Sequence, residues 1–191
     1  MTEYRYSHFT KPNRYPEIFS ACSKLKPKAK NILSFGCSTG EECFSLRTYF
    51  PDSTIYGTDL FQFVLDEAIA KNTDPNIHFS LGLPKVKFDI IFCMTVFCRH
   101  HLHGIHPTIG VTFKFEDFEK QLGPLVSSLN YSGCIVIHHN SHFRFFETIY
   151  GPQFSTIHVD ANDITPQFDK NNNRTTTQYS DCIFWKNEKI F

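Results

Sequence analysis

The chain has no excess of charge of either sign. Its 19 Lys and Arg residues balance 19 Asp and Glu residues, which gives a formal net charge of zero. Sequence-independent binding to nucleic acid depends on a broad basic surface that neutralises phosphates, and nothing in this composition supplies one. The composition therefore argues against nucleic acid, or another large polyanion, as the substrate.

The chain also lacks a paired cysteine framework and a long apolar segment. Its seven cysteines are odd in number and form no Cys-x-x-Cys pair, and several lie inside apolar runs such as 92–94 and 133–135. We interpret them as small core residues in a reducing compartment, not as disulfides or zinc ligands. No stretch is long and apolar enough to cross a bilayer, and residues 1–19 have no signal-peptide core. We therefore predict a cytoplasmic protein without a membrane span.

No linker-like segment divides the sequence. With 191 residues and 41% hydrophobic content, the chain is long enough to bury a substantial core. We predict that residues 1–191 form a single domain. Nothing in the pattern predicts an oligomeric state.

The most informative stretch runs from residue 31 to residue 60. A short apolar run ends in the glycine turn, Gly36-Cys37-Ser38-Thr39-Gly40, a helical pattern follows, and a second strand, 54–58, ends at Asp59. In a right-handed βαβ unit, the turn and the carboxylate lie side by side at the carboxyl edge of two parallel strands. Such glycines let the backbone approach a ligand, the helix N-terminus presents N–H groups, and the carboxylate can bind ribose hydroxyls. The pattern predicts a nucleotide-type site.

The spacing of the glycines and the residues after them favour a ligand without phosphate. A dinucleotide fingerprint has the pattern G-x-G-x-x-G, whereas this turn has the pattern G-x-S-x-G, followed by Glu41 and Glu42. Two carboxylates in the first helical turn suit the helix dipole but would repel a pyrophosphate. A cationic nucleoside such as S-adenosylmethionine fits better, and a nicotinamide-dependent oxidoreductase is disfavoured.

These residues resemble the class I S-adenosylmethionine-dependent methyltransferases, whose first strand leads into G-x-G-x-G and whose second strand ends in an acid. Within this family, the motif is most similar to the catalytic domain of the chemotaxis receptor glutamate methyltransferases. The similarity covers the glycine turn with Glu41-Glu42, then Ser45-Leu46 and Thr58-Asp59-Leu60. Two positions depart from the pattern. Ser34 stands where the family often has an acid, for which Glu41 or Glu42 are candidate replacements. Met94-Thr95 stands where the chemotaxis enzymes have an Arg-Asn pair.

The resemblance implies a donor site made of several loops at one sheet edge. The glycine turn would pass under the methionine part, Asp59 would hold the ribose, and Leu60 would pack on the adenine. Residues 80–82 would lie beside the adenine, and residues 93–95 near the methionine end. The implied residues for binding the cofactor S-adenosyl-L-methionine are Gly36, Cys37, Ser38, Gly40, Glu41, Asp59, Leu60, Leu81, Cys93 and Met94.

The remaining sequence alternates between helical and strand patterns. This alternation, with the resemblance, predicts an α/β fold with a Rossmann-like, doubly wound sheet of about seven strands, mostly parallel with an antiparallel last strand, and helices on both faces. A polar, exposed loop is expected over 169–177. Helices are predicted over 15–25, 61–71, 115–130 with an interruption at Gly123-Pro124, and 143–150; further strands are predicted over 76–81, 88–97, 134–139, 154–159 and 179–186.

Histidines cluster after the fourth and fifth strands, over 100–106 and 138–142. Both segments belong to the carboxyl edge, where ligands bind in this fold. Three interpretations stay open: a general base for the methyl acceptor, a bound metal, or a polar rim without chemistry. We take His100, His101 and His139 as the candidate catalytic residues and predict no metal ligands.

The sequence therefore predicts an S-adenosylmethionine-dependent methyltransferase whose acceptor it does not identify. The neutral charge favours a small molecule, a sugar or a lipid-linked intermediate over nucleic acid. The alternatives are a non-catalytic module of the same fold that binds S-adenosylmethionine and a protein carboxyl methyltransferase.

Overall fold

A computed structural model describes residues 8–97, 113–138, 143–159, 168–173, 175 and 182–187. It contains seven strands and four α-helices within those ranges. The strands are β1 (Asn31–Phe35), β2 (Thr54–Thr58), β3 (Ile77–Ser80), β4 (Phe88–Met94), β5 (Leu129–His138), β6 (Phe154–Ile157) and β7 (Ile183–Lys186). The helices are α1 (Pro16–Leu25), α2 (Glu41–Tyr49), α3 (Gln62–Lys71) and α4 (Phe115–Ser128).

The strands form one sheet in the order β3-β2-β1-β4-β5-β7-β6. Strands β1 to β5 pair in parallel, and β7 is antiparallel to both of its neighbours, β5 and β6. This confirms the predicted doubly wound sheet of seven strands with an antiparallel last strand. Because the strand order reverses between β1 and β4, the crevice at their carboxyl ends is the position where such sheets bind ligands.

Helices cover both faces of the sheet. One buried cluster joins residues of α1, α2 and α3 to the sheet, and the other joins residues of α4 to the opposite face. Successive residues of β1 show the division, since Ile32 belongs to the first cluster, Leu33 belongs to the second, and neither is exposed. A central parallel strand buried on both faces has this continuous apolar character.

Strand β5 begins five residues before its predicted start. The segment 131–133, which falls between the predicted helix over 115–130 and the predicted strand over 134–139, lies inside the strand, with Ser132 at a φ of 56°. The pairing with β4 shifts there, because Phe88 faces Leu129 whereas Ile90 faces Cys134. The extra residues of β5 form a bulge in the strand. A bulge and a turn share the same local sequence pattern, so the sequence did not distinguish them.

Helix α4 runs without a break through Gly123 and Pro124, where an interruption was expected. Proline removes one helical hydrogen bond and normally kinks a helix. Here Leu122, Leu125 and Val126 are buried around it and Pro124 itself is exposed. Packing of the apolar face therefore outweighs the local preference.

The segment after β5 forms two short 3-10 turns, Phe145–Glu147 and Gly151–Gln153, in place of the predicted helix over 143–150. The ring of Phe145 stacks on Phe184 with centroids 4.3 Å apart, so tertiary packing determines the conformation of this segment.

The predicted polar loop over 169–177 also has a packing role. The side-chain oxygen of Asn172 accepts a hydrogen bond of 2.9 Å from the N–H of Phe115, at the start of α4.

The cysteines that the structure describes are buried, as predicted for core residues. They are Cys22, Cys37, Cys43, Cys93, Cys134 and Cys182. None of the helices in the described ranges combines the length and apolar character that a membrane crossing requires.

Candidate functional site

The glycine turn closes directly onto the end of β2. The N–H groups of Gly36 and Cys37 both donate to the carbonyl oxygen of Thr58, at 2.7 and 2.9 Å. Positive φ angles at Gly36 (79°), Ser38 (50°) and Gly40 (91°) fold the turn back toward that strand. The turn and the end of β2 therefore form one unit at the carboxyl edge.

Asp59 is fixed to the glycine turn by its carboxylate. Its Oδ2 accepts a hydrogen bond from the N–H of Ser38 at 2.9 Å, and its Oδ1 accepts one from the N–H of Phe61 at 3.2 Å. A carboxylate offers about four acceptor positions, so about two stay available to a ligand. The structure thus brings together the turn and the carboxylate that the sequence predicted to be neighbours.

Both glycines of the turn are required by the fold itself. A Cβ added at Gly36 would lie 2.7 Å from a methyl group of Val96, and one at Gly40 would lie 3.0 Å from the ring of Phe44 and 3.1 Å from Ala68. Their positive φ angles add strain for any other residue. A larger residue at either position therefore disturbs the fold and the site together.

Glu41 is engaged in contacts that tie α2 to α3. Its carboxylate accepts a hydrogen bond of 2.6 Å from Thr39 Oγ1 and lies 2.9 Å from Lys71 Nζ. Burial acts to raise the pKa of Glu41, but the bonds from Thr39 and Lys71 lower it below its usual value. Its charge is therefore already paired.

Glu42 lies on the other side of the same helical turn, against β1. Its Oε1 accepts a hydrogen bond of 2.8 Å from the hydroxyl of Ser34, a side chain with no exposed surface. Burial of the carboxyl raises the pKa of Glu42 to about 7, although the Ser34 bond and the charge of Arg14 act to lower it. The carboxylate that meets Ser34 thus belongs to Glu42 and not to Glu41.

An exposed apolar surface borders Asp59. Leu60, after β2, is 69% exposed, and Leu81, after β3, is 52% exposed. Phe63, in the first turn of α3, is 60% exposed. Apolar side chains grouped at a ligand-binding edge are suited to a flat aromatic ligand, and single exposed residues elsewhere need no such explanation.

Residues 8–15 pass across this edge, which the sequence did not predict. The backbone oxygen of His8 accepts a hydrogen bond of 3.0 Å from Ser38 Oγ, and the His8 ring meets the rings of Phe61 and Phe63 edge-on. Further along, the Tyr15 hydroxyl lies 2.8 Å from Thr95 Oγ1. These contacts join residues more than 25 positions apart, so no local pattern could have indicated them.

The end of β4 places Cys93 and Met94 in the core, where they are 0% and 7% exposed. Thr95 follows with a φ of 61°, which is unusual for a β-branched residue, and its N–H donates to the His138 oxygen at 2.9 Å. His138 is buried, with its ring edge-on to Tyr15 at a centroid distance of 5.2 Å. Strained backbone of this kind is concentrated at functional sites.

The candidate catalytic histidines His100, His101 and His139 lie outside the described residues. His138 is the member of the two histidine clusters that the structure describes. In the described ranges, no three His, Cys, Asp or Glu side chains converge as metal ligands.

No protein-family model matches the chain, and no curated protein matches it in sequence. Several solved structures are similar in fold. The plantazolicin methyltransferase BpumL, in complex with a monoazolic desmethylPZN analog and SAH, is 18% identical, with 65% of this chain and 46% of that chain covered and a TM-score of 0.46. CalS10 from Micromonospora echinaspora, a SAM-bound amino pentose methyltransferase, is 17% identical, with coverages of 70% and 51% and a TM-score of 0.49. Streptomyces venezuelae DesVI is 18% identical, with coverages of 64% and 48% and a TM-score of 0.46. The aligned region spans about half the length of each of these structures.

Proposed function

We propose that this chain is an S-adenosylmethionine-dependent methyltransferase domain with its donor site at the carboxyl edge of β1, β2 and β4. The observation that carries the proposal is the hydrogen bond from the Ser38 N–H to Asp59, which sets a ribose-type carboxylate against a glycine turn at the switch point of the sheet. The predicted topology, including the antiparallel β7, agrees with the class I fold.

The state of the turn's N–H groups supports a donor without phosphate. Of the five residues of the glycine turn, four have N–H groups that bond inside the protein: Gly36 and Cys37 to Thr58, Ser38 to Asp59, and Gly40 to the Cys37 oxygen. A turn that cradles phosphate needs such groups free and directed at the ligand. A dinucleotide is therefore a poor ligand for this turn.

The residues fit the parts of S-adenosylmethionine. Asp59 would accept hydrogen bonds from the ribose, and Leu60 and Leu81 would contact the adenine. The backbone of Gly36 to Gly40 would run beneath the methionine part. Cys37, Cys93 and Met94 are buried, so their backbone would line the site while their side chains pack in the core below it. Glu41 would hold α2 in place through its ion pair with Lys71.

When bound, S-adenosylmethionine supplies a methyl group already activated on a sulfonium. The chain's own residues would align the acceptor with that group and exclude water from it. We propose His100, His101 or His139 as the base that takes the acceptor's proton. Tyr15, Thr95 and His138 would position this end of the site.

For the acceptor we propose a small molecule, a sugar or a lipid-linked intermediate. The zero net charge supports this choice over nucleic acid. Met94-Thr95, in place of an Arg-Asn pair, supports an acceptor other than a receptor glutamate.

Calorimetric titration with S-adenosylmethionine, S-adenosylhomocysteine and NAD tests the proposal. We expect the first two to bind with a stoichiometry of about one and NAD not to bind. Binding of NAD alone, or of none of the three, would overturn it. Incubation of metabolite fractions with methyl-labelled donor then tests turnover, and binding without any methylated product would indicate a non-catalytic module.

A further inference from the structure

Residues 8–15, here called the strap, cross the carboxyl edge of the sheet from the glycine turn to the end of β4. At one end of the strap, the backbone oxygen of His8 accepts a hydrogen bond of 3.0 Å from Ser38 Oγ, in the glycine turn. At the other end, the Tyr15 hydroxyl lies 2.8 Å from Thr95 Oγ1, directly after β4. The strap therefore spans the switch point of the sheet, where the donor is proposed to bind.

The middle of the strap is fastened to α2. The N–H of Asn13 donates to Ser45 Oγ at 2.7 Å, and the side-chain oxygen of Asn13 accepts a hydrogen bond of 2.8 Å from the hydroxyl of Tyr49. Tyr49 is the last residue of α2, so the whole helix separates it from the glycine turn. The bond from Tyr49 thus holds the strap without contributing a group to the proposed donor site.

The strap is attached at the surface and not through the core. None of its residues is buried, whereas α1, which follows directly, has a buried apolar face. The His8 ring meets the rings of Phe61 and Phe63 edge-on, and Phe63 is still 60% exposed. Segments with few buried apolar contacts open at a small fraction of the free energy of global unfolding. The strap can therefore detach while the sheet and its helices stay folded.

Contacts within the strap make it a compact unit. The guanidinium of Arg14 lies 5.1 Å from the ring centroids of both Phe9 and Tyr15, and its Nη1 donates to the Phe9 oxygen at 3.3 Å. Asn13, the neighbouring residue, has a φ of 48°, a left-handed conformation that asparagine tolerates and that turns the chain. Because these contacts do not involve the rest of the protein, they persist when the strap is released, which favours movement of the strap as one body.

We propose that the strap is a gate on the donor site, which lifts for S-adenosylmethionine to enter and for S-adenosylhomocysteine to leave. This inference rests on the proposed function. The closed strap covers the donor between the glycine turn and Thr95, so the donor exchanges at a rate set by the opening of the strap. Weakening an anchor that does not touch the donor destabilises the closed strap equally with and without ligand. Entry and exit then accelerate by the same factor, and affinity does not change.

Surface plasmon resonance with S-adenosylhomocysteine, on the wild type and Tyr49→Phe, tests the gate. The variant keeps the ring, which packs edge-on against Phe19, and loses the hydroxyl that bonds to Asn13. One such hydrogen bond changes an equilibrium by about 2- to 10-fold. We expect the association and dissociation rate constants to rise together by that factor, with the dissociation constant unchanged within about twofold. Tyr131→Phe, at an exposed position of β5, is the matched control.

Trypsin cleavage reports independently whether the strap is released. Lys11 is followed by Pro12, which blocks cleavage, so Arg14 is the tryptic site within the strap. We expect cleavage after Arg14 to be slower with saturating S-adenosylhomocysteine and faster in Tyr49→Phe. Asn13→Ala, which removes the same hydrogen bond from the side of the strap, should have the same effect as Tyr49→Phe on cleavage and on both rate constants.

The outcomes separate the gate from the proposed function. Faster cleavage in the variants with unchanged rate constants would overturn the gate, because the strap would then open without affecting the donor. A rise in the dissociation rate constant alone would make the strap a fixed wall of the site and would also overturn it, as would unchanged cleavage in both variants. If the wild type does not bind S-adenosylhomocysteine, the proposed function fails, and the gate fails with it.

Discussion

Asp59 has two roles at the scale of single residues. Its carboxylate fastens the glycine turn through Ser38 and the start of α3 through Phe61, and it also faces the place where we propose that the ribose binds. Removal of a group with both roles should lower both the stability of the protein and its affinity for the donor. Glu42 is different, because its burial makes its negative charge unfavourable to the folded protein.

Asp59→Ala should weaken binding of S-adenosylhomocysteine by roughly 1.5 to 3 kcal/mol, since it removes charged hydrogen bonds to the ribose. It should also lower the free energy of unfolding by about 1 to 3 kcal/mol, because two backbone N–H groups lose their partner. Calorimetry and urea unfolding measure the two effects. Asp52→Ala, at an exposed turn position, is the control. An unchanged dissociation constant would remove Asp59 from the site.

Glu42→Gln should stabilise the protein in the absence of ligand, and only at high pH. The pKa of Glu42 is raised from 4.5 to about 7 in the folded state, so ionisation between these values favours unfolding. At about pH 8 the variant should exceed the wild type by up to about 3 kcal/mol in the free energy of unfolding, and most of this gain should disappear by about pH 5. A gain that is the same at both pH values would show that the carboxyl is not shifted.

At the scale of elements, strong periodic patterns in the sequence were sufficient to predict most strands of the sheet. Strand β2 has its predicted bounds, and α3 begins one residue after its predicted start and ends at its predicted last residue. The errors occur where a local signal competes with packing, at the start of β5 and at Pro124 in α4. The site shows the same division: the sequence placed Asp59 beside the turn, but it could not show that Ser34 meets Glu42, because their contact depends on how α2 packs on β1.

Pro124→Ala should increase stability without changing donor affinity. The proline is exposed within a continuous helix and lacks the N–H that would complete the helical bonding, so alanine should add about 1 to 3 kcal/mol to the free energy of unfolding. Urea unfolding gives the difference, and Lys120→Ala, on an exposed position of the same helix, should change stability by less than about 0.5 kcal/mol. A loss of stability in Pro124→Ala would mean that the proline is required for the packing of α4.

At the scale of the whole molecule, the parallel sheet gathers at one edge the groups that the chain separates widely. The carboxyl ends of β1, β2, β3 and β4 bring the glycine turn, Asp59, Leu81 and Thr95 to that edge. The fold was predictable because each βα unit repeats the same pattern. The acceptor of the proposed reaction was not predictable, because methyl transfer depends on alignment of the donor with the acceptor more than on particular side chains.

The most direct test of the central claim is to map the binding of S-adenosylhomocysteine by backbone amide chemical shifts in an isotope-labelled sample. We predict the largest changes at residues 36–42, 59–61 and 81–82, all at the carboxyl edge. Residues at the opposite edge, such as Asn31 and Thr54 at the starts of β1 and β2, should change little. The absence of changes with S-adenosylhomocysteine, or largest changes at the opposite edge, would contradict a donor site on the glycine turn.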